Sequence, residues 1–202
     1  AKTQVAVNGR RDPNHEFGTN PCCEIILRPN QFCNLTEVVV KKDDTEETLK
    51  KKVKLAAILG TYQATLTDFK YLRKIWADTT EEERLLGVSM TGIMDNELTN
   101  GGEGDLDSML QRLRKVAVDT NEVWADSLGI PQSTAITCVK PSGTVSQLVD
   151  AASGIHPRHS KHYIRRVRGD KKDPLTQFLM DSGIPCEDAV GDVESKSTAV
   201  FS

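Results

Sequence analysis

Short apolar runs alternate along this chain with two long stretches of helical periodicity, and the alternation limits the folds open to it. Apolar residues recur near the helical period from residue 46 to about residue 74 and again over residues 106–128. Runs typical of strands come after these stretches, at residues 85–90 and 135–139. Because strands separated by long helices favour parallel pairing with helical crossovers, the pattern predicts an α/β fold.

Shorter segments complete the predicted elements. A strand is predicted over residues 25–27 and another, rich in β-branched residues, over residues 33–40. Near the end of the chain, residues 163–167 are predicted as a strand and residues 174–182 as a short helix. No internal repeat or low-complexity segment interrupts this order.

Composition excludes several classes of protein. The chain has 202 residues, 38% hydrophobic and 27% charged, which fits one large domain or part of one. A net charge of -3 does not favour a nucleic-acid partner, and no apolar run is long enough to span a membrane. Five unevenly spaced cysteines favour a reducing, cytoplasmic compartment. Because the chain starts at Ala1 and ends just after an apolar segment, we expect both ends to be cut from a longer protein.

Polar reactive side chains stand at every second position in one short stretch, at Asn20, Cys22 and Glu24. In an extended segment these three side chains share one face, and Cys23 points the other way. The alternation therefore favours Cys22 over Cys23 as the reactive thiol. An amide, a thiol and a carboxylate on one face suit a small, hydroxyl-rich ligand.

The remaining cysteines allow more than one interpretation. Cys33 lies eleven residues beyond Cys22, with an apolar strand and a turn between them. For Cys23, Cys138 and Cys186 the favoured interpretation is a small buried apolar side chain. The spacings lack the CxxC pairs typical of zinc sites, so no metal site is predicted.

Two further segments have the composition of anion-binding loops. The first is Lys140-Pro141-Ser142-Gly143-Thr144-Val145-Ser146, whose backbone amides and hydroxyls suit phosphate. An ordinary Ser/Gly turn before a helix explains the same residues equally well. The second holds three histidines and several arginines, for which a basic or phosphate-facing loop is favoured over a metal site. Its members are His156, His159, His162, Arg165, Arg166 and Arg168.

These motifs together resemble the catalytic chain of ribonucleotide reductases. The resemblance is carried by Asn-Pro-Cys-x-Glu at residues 20–24, Cys-Asn-Leu at residues 33–35, Lys-Pro-Ser-Gly-Thr at residues 140–144, Gly-Ile-His-Pro at residues 154–157 and Tyr-Ile-Arg-Arg at residues 163–166. It covers most of residues 18–168. These motifs are most similar to those of the monomeric, adenosylcobalamin-dependent class II enzymes, the ribonucleoside-triphosphate reductases.

The resemblance implies a role for each matching residue. Cys22 would carry a transient thiyl radical that takes the 3′ hydrogen of a ribonucleotide. Glu24 would act as the general base on the 3′ hydroxyl, and Asn20 would hold the ribose hydroxyls. Cys33 would be one half of the thiol pair that reduces the 2′ carbon and ends as a disulfide. The substrate phosphates would be bound by the loop residues Pro141, Ser142, Gly143, Thr144 and Ser146.

The resemblance also implies a fold, a cofactor and partners. The fold would be the C-terminal part of a ten-stranded α/β barrel, incomplete over one domain of residues 1–202. Within it, residues 1–40 would hold the finger loop and active-site strands, residues 41–130 a helical and strand segment, and residues 131–202 the phosphate-binding loop with a later strand and helix. The cofactor would be adenosylcobalamin, and the partners a ribonucleotide substrate and thioredoxin or a similar dithiol. The full-length parent would be a monomer.

The chain lacks two family features, and two other interpretations stay open. The upstream partner thiol of Cys33 and the C-terminal CxxC have no counterpart here, so the chain alone is expected to give no turnover. A class I reductase, which uses a metallo-radical subunit, would share the same fold. A non-enzymatic nucleotide-binding module with incidental thiols is the third interpretation.

Overall fold

The computed structural model describes residues 10–192 and 195–202, and the chain divides into two compact units. The first unit ends at Arg158 and the second runs from His159 to Ser202. The beginning of the predicted finger-loop segment, residues 1–9, lies outside the described residues.

The first unit contains four strands and five α-helices among its described residues. The strands are β1 (Gly18–Thr19), β2 (Ile26–Leu27), β3 (Leu35–Val39) and β4 (Gly87–Thr91). The helices are α1 (Glu46–Gln63), α2 (Ile75–Glu83), α3 (Glu97–Asn100), α4 (Leu106–Leu128) and α5 (Thr144–Leu148). A 3-10 turn, Ile93–Asp95, comes after β4.

Parallel pairing of β3 with β4 gives the unit its α/β character. Leu35 lies opposite Gly87 and Val39 opposite Thr91, with α1 and α2 in the connection between the strands. A parallel bridge from Val88 to Thr137 adds the next segment after α4. One strand–helix–strand crossover, followed by a second that ends in a single parallel bridge, therefore confirms the predicted α/β class.

The predicted helix over residues 46–74 is wrong in its second half. Helix α1 ends at Gln63, and a new helix begins only at Ile75. Thr65 donates its hydroxyl to Tyr62 O, and Thr67 donates to the Glu81 carboxylate. Such threonine hydrogen bonds compete with helical backbone bonds, so the apolar periodicity continues while the helix does not.

Other predicted elements shift by a few residues. The strand predicted at residues 85–90 is Gly87–Thr91, and the one at residues 33–40 is Leu35–Val39. The predicted strand at residues 135–139 reduces to the single bridge at Thr137. Helix α4 matches its predicted bounds, because Asp105 caps its start and Gly129 ends it in the left-handed conformation.

The core lies between this small sheet and the two long helices. Helices α1 and α4 pack on each other, and α1 also packs on β3. The buried members are Val38, Val40, Leu49, Val53, Ala56, Ala57, Leu86, Val88, Met109, Leu113, Ala117 and Ile136. Each large side chain buried there contributes about 1.5–3 kcal/mol. One face of the sheet is thus buried against the helices.

A buried ion pair connects the start of the unit to α2. Arg11 Nε and Nη2 donate to the two oxygens of Glu83 at 2.9 and 2.6 Å, and both side chains are only 4% exposed. Gln31 adds a third donor, with Nε2 2.5 Å from Glu83 Oε2. Although burial acts to raise the pKa of Glu83, these donors lower it below its ordinary value.

Among its described residues, the second unit contains a three-stranded antiparallel sheet and one helix. The strands are β5 (Val167–Asp170), β6 (Cys186–Asp188) and β7 (Thr198–Phe201), and β7 lies between the other two. Helix α6, Pro174–Asp181, ends one residue before its predicted limit. The strand predicted over residues 163–167 begins only at Val167, where pairing with Phe201 sets the register.

No helix in the described part of the chain is both long and apolar enough to cross a membrane.

Candidate active site

The stretch from Asn20 to Glu24 forms a tight turn, so the predicted extended conformation is wrong. Cys23 has a φ of 64°, and its backbone amide donates to Asn20 O at 2.9 Å. The turn brings the ends of the stretch together: Asn20 Nδ2 donates to Glu24 Oε1 at 2.5 Å, and Ile25 N donates to Asn20 Oδ1 at 3.0 Å. The side chains therefore converge through a turn rather than along one strand face.

A lysine from a distant segment completes this group. Lys140 Nζ lies 2.8 Å from Glu24 Oε1 and donates to Cys22 Sγ at 3.5 Å. The Glu24 side chain is 8% exposed and that of Lys140 27%. One ammonium thus connects the predicted base to the predicted reactive thiol.

The two oxygens of Glu24 have different surroundings. Oε1 accepts from both Asn20 and Lys140, whereas the buried Oε2 has no hydrogen-bond partner among the described residues. Burial acts to raise the pKa of this carboxyl. The hydrogen bonds from Lys140, the backbone and Asn20 outweigh burial and lower the pKa below its ordinary value. Glu24 is therefore a carboxylate at neutral pH, with one buried oxygen that has no hydrogen-bond partner among the described residues.

Cys33 lies at the same site. Glu24, Cys33 and Cys138 line one cavity of about 130 Å³, together with Asn34 and Gly87. Partial burial raises the pKa of the Cys33 thiol, while the charge of Lys140 acts against that rise. The charges of Glu24 and Cys22 also act on Cys33, which places the two predicted thiols in one electrostatic environment.

Cys138 is a member of the site that sequence reasoning left unassigned. A side-chain carbon at Gly87 would lie 3.0 Å from Cys138 Sγ and 3.5 Å from Asn34 O, so the thiol sits beside the segment just after Cys33. Burial raises the pKa of the Cys138 thiol to about 12. Cys138 is half-buried, close to its predicted burial, but Cys23 and Cys186 are exposed, so that prediction is wrong for both. Each of these two lies where no core covers it: Cys23 in the turn and Cys186 on β6.

The two predicted phosphate-site motifs of this unit pack against each other. Gly154 N donates to Thr91 Oγ1 at 2.9 Å, and the Ser153 hydroxyl donates to Ser142 O. Gly154 has a φ of 55°, and a Cβ there would lie 3.3 Å from Lys140 O and 3.4 Å from Ser142 N. A glycine is therefore required for this close approach.

Within the Lys-Pro-Ser-Gly-Thr loop, the predicted residues differ in exposure. Pro141, Gly143 and Thr144 are exposed, and Ser142 is buried with no partner for its Oγ among the described residues. Ser146 is fully buried, and its hydroxyl donates to Gly143 O at 2.8 Å. Ser146 thus holds the turn at the start of α5.

Lys140 is the member of this group that sequence reasoning missed. The sequence interpretation assigned its motif to phosphate, and nothing in local spacing links residue 140 to residues 22 and 24. One signal was present: a lysine that comes directly after a predicted strand and directly before a proline has a fixed, extended backbone.

Comparisons with known proteins identify the family of the chain. No family model matches the chain. It is 33% identical to the adenosylcobalamin-dependent ribonucleoside-triphosphate reductase of Lacticaseibacillus paracasei, over 96% of this chain and 28% of that protein. Identity to the enzymes of the same name is 30% for Lactobacillus leichmannii, over 84% of this chain, and 31% for Euglena gracilis, over 90%.

A solved structure gives the same result. The crystal structure of a B-12 dependent (class II) ribonucleotide reductase matches with a TM-score of 0.65 and 30% identity, over 91% of this chain and 28% of that one. The chain spans about a quarter of the length of the curated relatives it matches, from 25% to 28% for those named. The chain therefore belongs to the class II ribonucleotide reductase family, of whose members it matches one segment.

Proposed function

We propose that this chain supplies part of the active site of an adenosylcobalamin-dependent reductase that converts ribonucleoside triphosphates to 2′-deoxyribonucleotides. The observation that carries the proposal is the convergence of Asn20, Cys22 and Glu24 through one turn and Lys140, with Cys33 and Glu24 lining one cavity. The names of the relatives support the triphosphate substrate and favour class II over class I.

Glu24 is proposed as the general base. Its Oε1 is fixed by Asn20 and Lys140, so Oε2 is left to accept the proton of the 3′ hydroxyl. The side-chain amide of Asn20 has two hydrogens, of which one is donated to Glu24. We propose that the second is donated to a ribose hydroxyl. The same turn thus orients both groups toward one sugar.

Cys22 and Cys33 are proposed for the redox steps. The Cys22 thiyl radical takes the hydrogen atom from C3′, so an S–H bond forms as a C–H bond breaks. After the 2′ hydroxyl leaves as water, Cys33 and a partner thiol supply two electrons and two protons and end as a disulfide. Cys22 then returns its hydrogen atom to C3′ and becomes a thiyl radical again, so the radical is not consumed. The raised pKa of Cys33 keeps its thiol protonated, which is the form that has a hydrogen to give.

The phosphates are proposed to bind at the Lys-Pro-Ser-Gly-Thr loop. Ser142 has an unpartnered hydroxyl among the described residues, and Gly143 and Thr144 are exposed beside it. Pro141 shapes the loop. Ser146 supports it by capping Gly143 O, which is a change from the direct contact that the sequence predicts.

The cofactor proposal depends on Cys22. Adenosylcobalamin, when bound, would supply the radical that activates the thiol. Cys22 is exposed, which fits a residue that exchanges a hydrogen atom with a group arriving from outside its own loop. We further propose a ten-stranded barrel in the complete protein, a single domain over residues 1–202, a monomeric parent, a cytoplasmic location and thioredoxin or a similar dithiol as the reductant.

A segment graft tests the function. The aligned segment of the Lactobacillus leichmannii enzyme is replaced by this chain, and deoxynucleotide formation from CTP is measured with adenosylcobalamin and a dithiol. We expect turnover, its loss with Cys22→Ser, and its retention with the matched neighbour Cys23→Ser. Turnover that survives Cys22→Ser, or a folded graft that binds CTP without reducing it, would contradict the proposal and favour a nucleotide-binding module.

A further inference from the structure

Among the described residues, Lys140 is the cation in direct contact with Glu24, and the geometry of this contact differs from that of an ordinary surface ion pair. Lys140 comes from a segment 116 residues beyond Glu24 in the chain, yet its Nζ contacts both Glu24 Oε1 at 2.8 Å and Cys22 Sγ at 3.5 Å. Exposed ion pairs contribute about 0–1 kcal/mol and rarely hold a fixed geometry. This pair is mostly withdrawn from water, with the Glu24 side chain 8% exposed.

The backbone of Lys140 is fixed by its neighbours. Lys140 N donates to Ser89 Oγ at 2.9 Å, and Ser89 on β4 is 2% exposed. Two residues earlier, Cys138 N donates to Val88 O at 3.1 Å. Pro141 restricts the backbone of the residue before it to the extended region. The hydrogen bonds to β4 therefore fix the position of the Lys140 backbone, from which the ammonium reaches Glu24.

We propose that Lys140 is a positioning residue that fixes Glu24 Oε1 and Cys22 Sγ to one ammonium, leaving Glu24 Oε2 for the substrate. This inference rests on the function proposed above. Arginine at this position would keep the charge, whereas methionine would keep the aliphatic stem and remove it.

The chemistry of the site fits this role. A general base works only while ionised, and a carboxylate withdrawn from water tends to become neutral unless a cation or hydrogen bonds offset the loss of water. The contact with Glu24 raises the pKa of Lys140 above its ordinary value, so the ammonium stays charged across the working pH range. Other titratable groups around Glu24 are Arg11, Cys22, Cys33 and Cys138.

The first test measures the titration of Glu24 in the chain itself. Carbon-13 NMR tracks its side-chain carboxyl, assigned with Glu24→Gln, and circular dichroism confirms that each variant folds. Lys140→Met is expected to raise the Glu24 midpoint by about one pH unit or more, and Lys140→Arg to keep it low. Lys52→Met, which removes the partner of Asp44, serves as the matched control and should leave Glu24 unchanged. An unchanged midpoint in Lys140→Met would overturn the proposal.

The second test uses the grafted reductase and separates positioning from phosphate binding. Lys140→Met is expected to lower kcat about tenfold or more with little change in KM, and Lys140→Arg to restore part of the rate. A rise in KM with unchanged kcat would assign Lys140 to the phosphates and overturn the positioning role. If the graft has no turnover, the proposed function fails, and the NMR titration still decides the placement of Lys140.

Discussion

Two carboxylates in the first unit, Glu83 and Glu24, each pair with a cation and an amide side chain. They differ in whether both of their oxygens have a hydrogen-bond partner. Glu83 pairs with Arg11 and Gln31, and Glu24 pairs with Lys140 and Asn20. Arginine and glutamine occupy both oxygens of Glu83. Lysine and asparagine both bind Oε1 of Glu24 and leave Oε2 without a partner among the described residues.

The difference separates a structural ion pair from a reactive one. A guanidinium is a planar fork that satisfies both oxygens of a carboxylate, whereas an ammonium is a point charge that binds at one place. In both cases hydrogen bonds overcome burial and lower the pKa of the carboxyl. Of the two groups, the one around Glu24 retains an acceptor and is therefore available for chemistry.

The largest expected effect is on stability. Arg11→Met removes both short contacts of the buried Glu83 charge with a guanidinium and leaves it Gln31 and the more distant Arg28, 3.7 Å away. It should lower the free energy of unfolding by about 3 kcal/mol or more. Lys140→Met, the matched change at the open site, should lower it less, by about 1–2 kcal/mol, in line with a shift of about one pH unit in the Glu24 titration. Urea unfolding monitored by circular dichroism measures both. Equal losses would contradict the distinction between the two ion pairs.

The second largest effect is expected in the rates of thiol labelling, which should differ between an exposed and a buried cysteine of the site. Cys22 is exposed, whereas burial raises the pKa of Cys138 to about 12. At pH 8 only about one Cys138 in 10⁴ is a thiolate, so iodoacetamide should modify it about 100-fold more slowly than Cys22. Peptide mass spectrometry at timed intervals gives both rates. Labelling of the two residues at one rate would show that the cavity is open to solvent.

The smallest effect concerns acid and salt. The pKa of Glu83 is lowered from an ordinary value of 4.5, so its contribution to stability is complete above that value and is lost as the pH falls through the folded-state pKa. Glu83→Gln should therefore flatten the fall in stability between about pH 5 and pH 3, and Glu24→Gln should do the same for its own carboxyl.

At 1 M salt, where the screening length is about 3 Å, the contribution of Glu24 to the free energy of unfolding should weaken and that of Glu83 should persist. Unfolding free energies at stepped pH test this, and a salt effect equal at both sites would contradict it.

The sequence predicted the features that depend on local pattern. Helix Leu106–Leu128 carried its own cap and its own stop, so its bounds could be read directly. The parallel α/β class came from alternation of strand and helix, and the pairing of β3 with β4 confirms it. The structure places Asn20, Cys22 and Glu24 in one hydrogen-bonded group with Lys140, and Cys33 lines a cavity with Glu24, but the roles predicted for these residues stay predictions.

The features that the sequence could not predict depend on contacts between distant residues. The end of α1 at Gln63 is set where threonine side chains compete with the helix, which apolar periodicity does not register. Asn20 and Glu24 are neighbours because Cys23 adopts the left-handed backbone conformation and closes a turn, and not because they alternate along a strand. Lys140 reaches Glu24 only because β4 anchors its backbone, and no spacing in the sequence encodes that contact.

The most direct test of the central claim asks whether Cys22 and Cys33 meet at one site. In a chain carrying Cys23→Ser, Cys138→Ser and Cys186→Ser, a short bifunctional thiol reagent is added and the products are mapped by mass spectrometry. We expect a Cys22–Cys33 cross-link that Glu24→Gln leaves in place and that CTP suppresses by occupying the space between the thiols. A folded chain in which the reagent modifies both thiols singly and never joins them would contradict the account.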